Sequence, residues 1–442
     1  MDALAYFRSK KITVMGLGLL GRGVGDAKYL AECGAELVVT DLKTREALSE
    51  SVAQLESFSN ITFVLGEHRL DDFRGRDLIL KAAGVPLNSP YIAEAKARGI
   101  PVRMSADLFM ELSEIRTVGV TGTRGKSTTV QMVAAILKEA GEKILLGGNV
   151  RGVSTLALLR EATPEHVAVL ELDSWQCQGL GEADLSPHIA VFTTFYPDHL
   201  NYYKDDPSQY LADKANIFLH QDPDDTLIVG KQCAPTLIEA FGEHIVAHTV
   251  IADETKLPND WQLRIPGAHN RYDAALALAA ARARDIPDAV SRRALEAFSG
   301  VPGRLEFLRE IDGSKIYNDT NSTTPEATIA GLAALGENIT LIVGGSDKGL
   351  ELDALVATVG ARCAQVIVLE HDNYKGSVLL EEKLVDAGIR FETADSLEEA
   401  LHRARSVADG GPILFSPAFA SFGMFKNEYD RGDQFTALVK EP

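Results

Sequence analysis

Short apolar runs alternate with helical patterns along the whole chain. Lys11 to Met15 reads as a strand, and a helical stretch reaches Cys33. Glu36 to Thr40 is a second strand, and Asp77 to Lys81 and Ile100 to Met104 are two more. Residues 1–110 therefore predict a small parallel α/β unit. The buried runs Val118 to Val120, Val167 to Leu170 and Ile189 to Thr194 define a second unit over 111–300, with helices expected at 128–140 and 211–218. Ser299 to Arg304, with two glycines and a proline, reads as a linker. A third unit, 301–442, has strands at Lys315 to Asn318, Ile339 to Gly344, Gln365 to Glu370 and Pro412 to Ser416. Each strand after the first follows a helical pattern, which predicts a further doubly wound unit.

Composition narrows the class. The 442 residues exceed one ordinary core, so two to four domains are expected. No apolar run approaches the roughly 20 residues that span a bilayer, so no membrane partner is expected. Met1 to Lys11 is polar and lacks a signal-peptide pattern, which predicts a cytoplasmic protein. Four scattered cysteines, Cys33, Cys177, Cys233 and Cys363, read as reduced thiols rather than a metal set. The net charge of −19 argues against a nucleic-acid partner, which needs Lys and Arg to neutralise phosphates.

Two glycine-rich turns carry the chemistry. Thr121 to Thr129 reads Thr-Gly-Thr-Arg-Gly-Lys-Ser-Thr-Thr after an apolar strand and before a helix. Gly122 and Gly125 allow the tight turn, with Thr123 between them. Lys126 can reach the β/γ-phosphates of ATP or GTP, the Ser127 hydroxyl can sit on Mg²⁺, and Thr128 continues the phosphate-binding start of the helix. Val120 stands where the strict pattern has Gly. Glu171 ends a buried strand, as a magnesium-holding carboxylate would. The loop Tyr196-Pro197-Asp198-His199-Leu200 follows another strand, and Lys214 lies on a helix. The earlier turn, Gly16-Leu17-Gly18-Leu19-Leu20-Gly21 with Asp41 about twenty residues on, is a Rossmann-like fingerprint. A nicotinamide cofactor or a nucleotide-sugar diphosphate would meet the same physics there. A nicotinamide dehydrogenase leaves the phosphate loop unexplained.

These motifs, in this order, resemble the Mur ligases over essentially the whole length. Gly147-Gly148-Asn149, Glu171 to Gln176, Pro197-Asp198-His199, His269-Asn270, Pro302-Gly303-Arg304, Asn318-Asp319 and Ser416 to Ser421 with Arg431-Gly432 carry the resemblance. It implies three domains: a Rossmann-like one for a UDP-linked substrate, a central P-loop ATPase and a Rossmann-like C-terminal domain for the amino acid. It implies ATP, two Mg²⁺ ions and a carbamylated Lys214. The activity implied is joining D-glutamate to UDP-N-acetylmuramoyl-L-alanine through an acyl phosphate, by a monomer. The implied metal ligands are Ser127, Glu171, His199 and Lys214. The implied ATP contacts outside the loop are Asn270, Arg304 and Asp319, with Asp319 towards the ribose. Leu19, Leu20, Asn149, Gln176, Thr323, Lys348 and Ser421 are the implied substrate contacts. Departures from the family pattern cluster near the substrates: Leu20, Leu42 and Lys43 in the first unit, Asp173 and Trp175 in the second, Asn321 and Glu428 in the third. Asn321 replaces a lysine at the amino-acid pocket, which leaves L-glutamate or another amino acid as an alternative. A non-catalytic nucleotide-binding partner in wall synthesis is the reading of another class.

Overall fold

The computed structural model describes residues 3–441, apart from Leu20, Pro197, His199, Lys204, Asp205 and Lys348; for Leu200 and Asn201 it describes the backbone alone. The chain divides into two compact units, one of Met1–Asn259 with Tyr272–Ala294, the other of Asp260–Arg271 with Leu295–Pro442.

The first unit holds two parallel sheets. One comprises β1 (Lys11–Met15), β2 (Glu36–Asp41), β3 (Ile61–Leu65), β4 (Leu78–Lys81) and β5 (Val102–Arg103), in the order β3-β2-β1-β4-β5. β1 and β4 are buried along nearly their whole length, as the continuous apolar runs of a helix-covered parallel sheet require. The strand order reverses at β1, and the glycine turn leaves its C-terminal end into the helix Arg22–Glu32. A crevice at such a switch point is where open α/β sheets bind ligands.

The other sheet comprises β6 (Arg116–Thr121), β7 (Lys143–Gly148), β8 (His166–Glu171), β9 (Ile189–Phe192), β10 (Thr226–Gly230) and β11 (His248–Ala252). Its order is β11-β10-β9-β6-β8-β7. β6 thus lies between β8 and β9, with Val120 beside Glu171 and Thr121 beside Phe192. That register brings the phosphate loop after β6 between Glu171 on one side and Thr193 to Tyr196 on the other. The loop's helix begins at Lys126 rather than 128, and the Lys214 helix is Pro207–Ala215 rather than 211–218. Pro207 at its first turn and the Asp206 cap set that earlier start.

The second unit has β12 (Glu306–Ile311), β13 (Ser314–Asn318), β14 (Ile339–Val343), β15 (Cys363–Leu369), β16 (Glu392–Ala394) and β17 (Ile413–Phe415), in the order β12-β13-β17-β14-β15-β16. β12 is antiparallel to β13, so this sheet is mixed. The expected linker is a tight turn closed by a bridge between Val301 and Arg304. The four cysteines form no disulfide. Among the described residues no helix is long and apolar enough to cross a membrane.

Candidate functional site

The phosphate loop is held on both flanks. Gly122 has φ +137°, and a Cβ there would stand 2.0 Å from Thr193 Oγ1; at Gly125, φ +86°, it would stand 2.4 Å from Asp273 Oδ1. No other residue fits either position. Thr123 N donates to Thr194 O at 2.7 Å, and Arg124 N to Thr194 Oγ1 at 3.0 Å. The Thr123 hydroxyl bonds both backbone groups of Tyr196, so it fixes the loop. Ser127 and Thr128 stand half-buried in the first turn of the helix Lys126–Glu139.

Two lysines converge on one carbonyl. Lys126 Nζ donates to Gly122 O at 2.9 Å and Thr123 O at 3.1 Å. Lys214 Nζ donates to the same Gly122 O at 2.9 Å and to Thr121 Oγ1 at 3.3 Å. Lys214 is fully buried, and burial, with Lys126 nearby, brings its pKa down to about 7. A lysine held half neutral at pH 7 is chemically unlike a surface lysine.

Glu171 is buried at the end of β8 and has no basic side-chain partner among the described residues. Its Oε1 accepts from Asn149 Nδ2 at 3.2 Å, and its backbone O from Asn149 N at 2.7 Å. A buried carboxylate that, among the described residues, is met only by an amide has an anionic lone pair left for a divalent cation, so Glu171 and the Ser127 hydroxyl fit a magnesium site. Among the described residues no three His, Cys, Asp or Glu side chains gather as a metal cage, and His199 lies outside the described residues.

A crevice beside this site is lined by Gly16, Gly18, Arg22, Lys81, Gly148 and Gln176. Leu19 is exposed at its mouth, and Leu20 lies outside the described residues. Asp41 accepts from Gly18 N at 3.0 Å and from Lys43 N at 2.9 Å, so the fingerprint acid clamps the turn itself. Asp173, unexpected near an anionic substrate, is the N-cap of the helix Ser174–Glu182 in a reciprocal box with Gln176. A carboxylate suits this helix N-terminus, which accounts for an Asp at the position. Sequence reasoning missed Lys81, a buried lysine that donates to Val85 O at 3.1 Å and whose pKa burial brings down to about 8.

In the second unit, Asp319 is buried and accepts from Leu305 N at 3.0 Å, Ser322 Oγ at 2.6 Å and Ser416 Oγ at 2.7 Å. Burial pushes its pKa up to about 6. Both oxygens hold protein donors, so Asp319 braces the turn after Arg304. Arg304 itself is exposed. Asn270 Nδ2 donates to Pro266 O at 2.6 Å. Thr323 is half-buried and Ser421 buried, while Lys348 lies outside the described residues. Asn321 donates to Pro302 O at 3.1 Å and so staples the 301–304 turn. Glu428 opens the helix Glu428–Lys440, where its charge suits the N-terminus. Arg431, quoted in the motif without a role, is fully buried and donates to Thr320 O at 2.9 Å and Phe419 O at 3.3 Å. It ties the 320 loop to the Ser416–Ser421 signature, and the signal for it was a lone arginine in an otherwise apolar helix face.

Three family profiles match: Mur ligase MurD-like N-terminal domain over residues 10–104, Mur ligase middle domain over 120–281, and Mur ligase glutamate ligase domain over 303–419. The UDP-N-acetylmuramoylalanine–D-glutamate ligase of Roseiflexus sp. (strain RS-1) is 37% identical, with 98% of each chain covered. The enzyme of that name from Treponema pallidum (strain Nichols) is 31% identical, with 99% of each covered. Among solved structures, UDP-N-acetylmuramate-alanine ligase MurC from Thermotoga maritima superposes with a TM-score of 0.59 at 20% identity, covering 98% of this chain and 99% of that one. Folylpolyglutamate synthase from Mycobacterium tuberculosis, complexed with ADP and AMPPCP, superposes at 0.56 and 17% identity, covering 76% and 95%. These two likenesses speak for the fold. The chain belongs to the Mur ligase family.

Proposed function

We propose that this chain is an ATP-dependent amide ligase that joins D-glutamate to UDP-N-acetylmuramoyl-L-alanine in peptidoglycan precursor synthesis. The observation that carries the reading is the meeting, within one compact unit, of a glycine crevice, a phosphate loop on which two lysines converge and a buried Glu171 with no basic partner among the described residues. The full-length relatives supply the substrate class.

A carboxylate is a poor electrophile, and the reaction meets this by phosphoryl transfer from ATP to the alanine carboxylate. The glutamate amine then attacks the acyl carbon, and phosphate leaves as the amide forms. Lys126 and the loop N–H groups hold the β/γ-phosphates and offset the charge that shifts between oxygens. Ser127 and Glu171 would hold Mg²⁺, with His199 and a carbamylated Lys214 serving a second ion; metals held there would screen the two anionic reactants from each other. The low pKa of Lys214 suits carbamate formation, which needs the neutral amine. Asn149 and Gln176 face the UDP-linked substrate, and Asn270, Arg304 and Asp319 belong to the ATP side. Thr323, Lys348 and Ser421 belong to the amino-acid side, with domain borders near 110 and 300. A cytoplasmic monomer fits the reading.

Asn321 motivates a second reading, since an amide stands where a cation would grip an acidic side chain. Phosphate release from ATP with UDP-N-acetylmuramoyl-L-alanine and single amino acids separates the two. Release with D-glutamate alone supports the first reading; release with another amino acid keeps the ligase and changes its specificity. No release with any amino acid counts against both.

A further inference from the structure

The seam between the glycine crevice and the phosphate-loop sheet is unusually close. A Cβ on Gly25 would stand 2.6 Å from Ser154 Cβ, and one on Gly21 3.6 Å from Gly152 Cα. The helix Arg22–Glu32 therefore lies directly on the segment that follows β7. Asp26 anchors it there, accepting from Ser154 Oγ at 2.5 Å and from Ser105 Oγ at 2.8 Å.

Across this seam runs a short chain of polar contacts. Arg22 Nη1 donates to Asn149 Oδ1 at 2.5 Å, and Asn149 Nδ2 donates to Glu171 Oε1 at 3.2 Å. The Asn149 backbone N also donates to Glu171 O, at 2.7 Å, so the orientation of the amide rests on Arg22 and Glu171. Gly148 beside it has φ +83°, and a Cβ there would lie 2.0 Å from Glu171 O. An arginine on the wall of the anion crevice thus sets the orientation of an amide that occupies a lone pair of the candidate magnesium carboxylate.

We propose that Arg22 is a positioning residue that couples the two sites. A diphosphate entering the crevice competes with Asn149 for the guanidinium, since a charge-assisted pair is stronger than a bond to a neutral amide. Asn149 then loosens from Glu171, and both carboxylate oxygens, rather than one, are open to the cation that accompanies ATP. The UDP-linked substrate and Mg·ATP therefore raise each other's affinity, by the same factor in either direction. The proposal rests on the ligase reading for the identity of both ligands.

The test is a binding cycle on the full chain. Calorimetry measures the affinity of the non-hydrolysable analogue AMPPCP with Mg²⁺, with and without saturating UDP-N-acetylmuramoyl-L-alanine. The wild type should bind the nucleotide on the order of tenfold more tightly with the substrate present. Arg22→Met should bind the UDP-linked substrate more weakly and, at substrate concentrations that still saturate it, bring the factor close to one; Arg22→Lys should restore part of it. A coupling factor that is the same in the wild type and Arg22→Met overturns the relay while leaving the ligase reading intact. A wild type that binds neither ligand overturns the ligase reading and the relay with it.

Discussion

Lys214 offers the sharpest quantitative prediction. Its amine is buried against Gly122 O and Thr121 Oγ1, and its pKa stands at about 7 against an ordinary 10.5. At pH 7 about half the amine is then neutral, roughly a thousandfold more than for an unperturbed lysine. Because the folded pKa lies below the unfolded one, the unfolded chain binds more protons between those two values. Stability should therefore rise with pH across that window, by about 1.4 kcal/mol per pH unit and about 5 kcal/mol in all. Lys214→Met removes the titrating group, while Gly122 O keeps Lys126 as a donor at 2.9 Å. Urea unfolding of both proteins at a series of pH values, in buffer freed of CO₂, should give curves that diverge above pH 7, with the variant lacking the rise. Added bicarbonate at pH 8 should stabilise the wild type and leave the variant unmoved. Parallel pH curves would refute the burial argument. A bicarbonate effect equal in both proteins would refute the carbamate.

Three further outcomes follow from particular contacts. Gly148→Ala forces an L-residue to φ +83° with its Cβ 2.0 Å from Glu171 O. It should cost about 2–5 kcal/mol in chemical denaturation and raise the Mg²⁺ concentration needed for activity. Asp319→Ala strips the acceptor from Leu305 N, Ser322 Oγ and Ser416 Oγ, and should lower stability by about 1–3 kcal/mol. A fully stable Asp319→Ala that has lost only ATP affinity would favour a ligand contact over a brace. Arg431→Met should raise the KM for glutamate on the order of tenfold with the KM for the UDP-linked substrate unchanged, because it loosens Thr320 and Phe419 alone; equal changes in both would count against that assignment.

The three α/β units and the phosphate loop were readable because their signals are local: a strand, two glycines at a fixed spacing, then a helix. Of the strands not read from the sequence, β7 and β10 carry plain apolar runs, while others are less regular. β12 reads Glu-Phe-Leu-Arg-Glu-Ile at a sheet edge, with no period of two, and β16 is three residues long. Residues whose meaning depends on distant partners were not readable at all. Arg22 acquires its role from Asn149, 127 positions away, and Asp319 from Ser416, 97 away. Asp173 looked like a misplaced charge because its sequence neighbours hide what helix geometry reveals, a cap closed by Gln176 three residues on. Lys214 was assigned through family resemblance, and its low pKa needed the tertiary burial.

In the proposed reaction an amide bond forms between glutamate and the alanine carboxylate of the UDP-linked substrate at the expense of ATP. The most direct measurement is mass spectrometry of the nucleotide-sugar product after incubation with ATP, Mg²⁺, UDP-N-acetylmuramoyl-L-alanine and D-glutamate. The account predicts a product heavier by one glutamyl residue, formed in equal amount with ADP and phosphate, and absent with Lys126→Ala. Nucleotide-sugar that stays unchanged while ATP is consumed would contradict it.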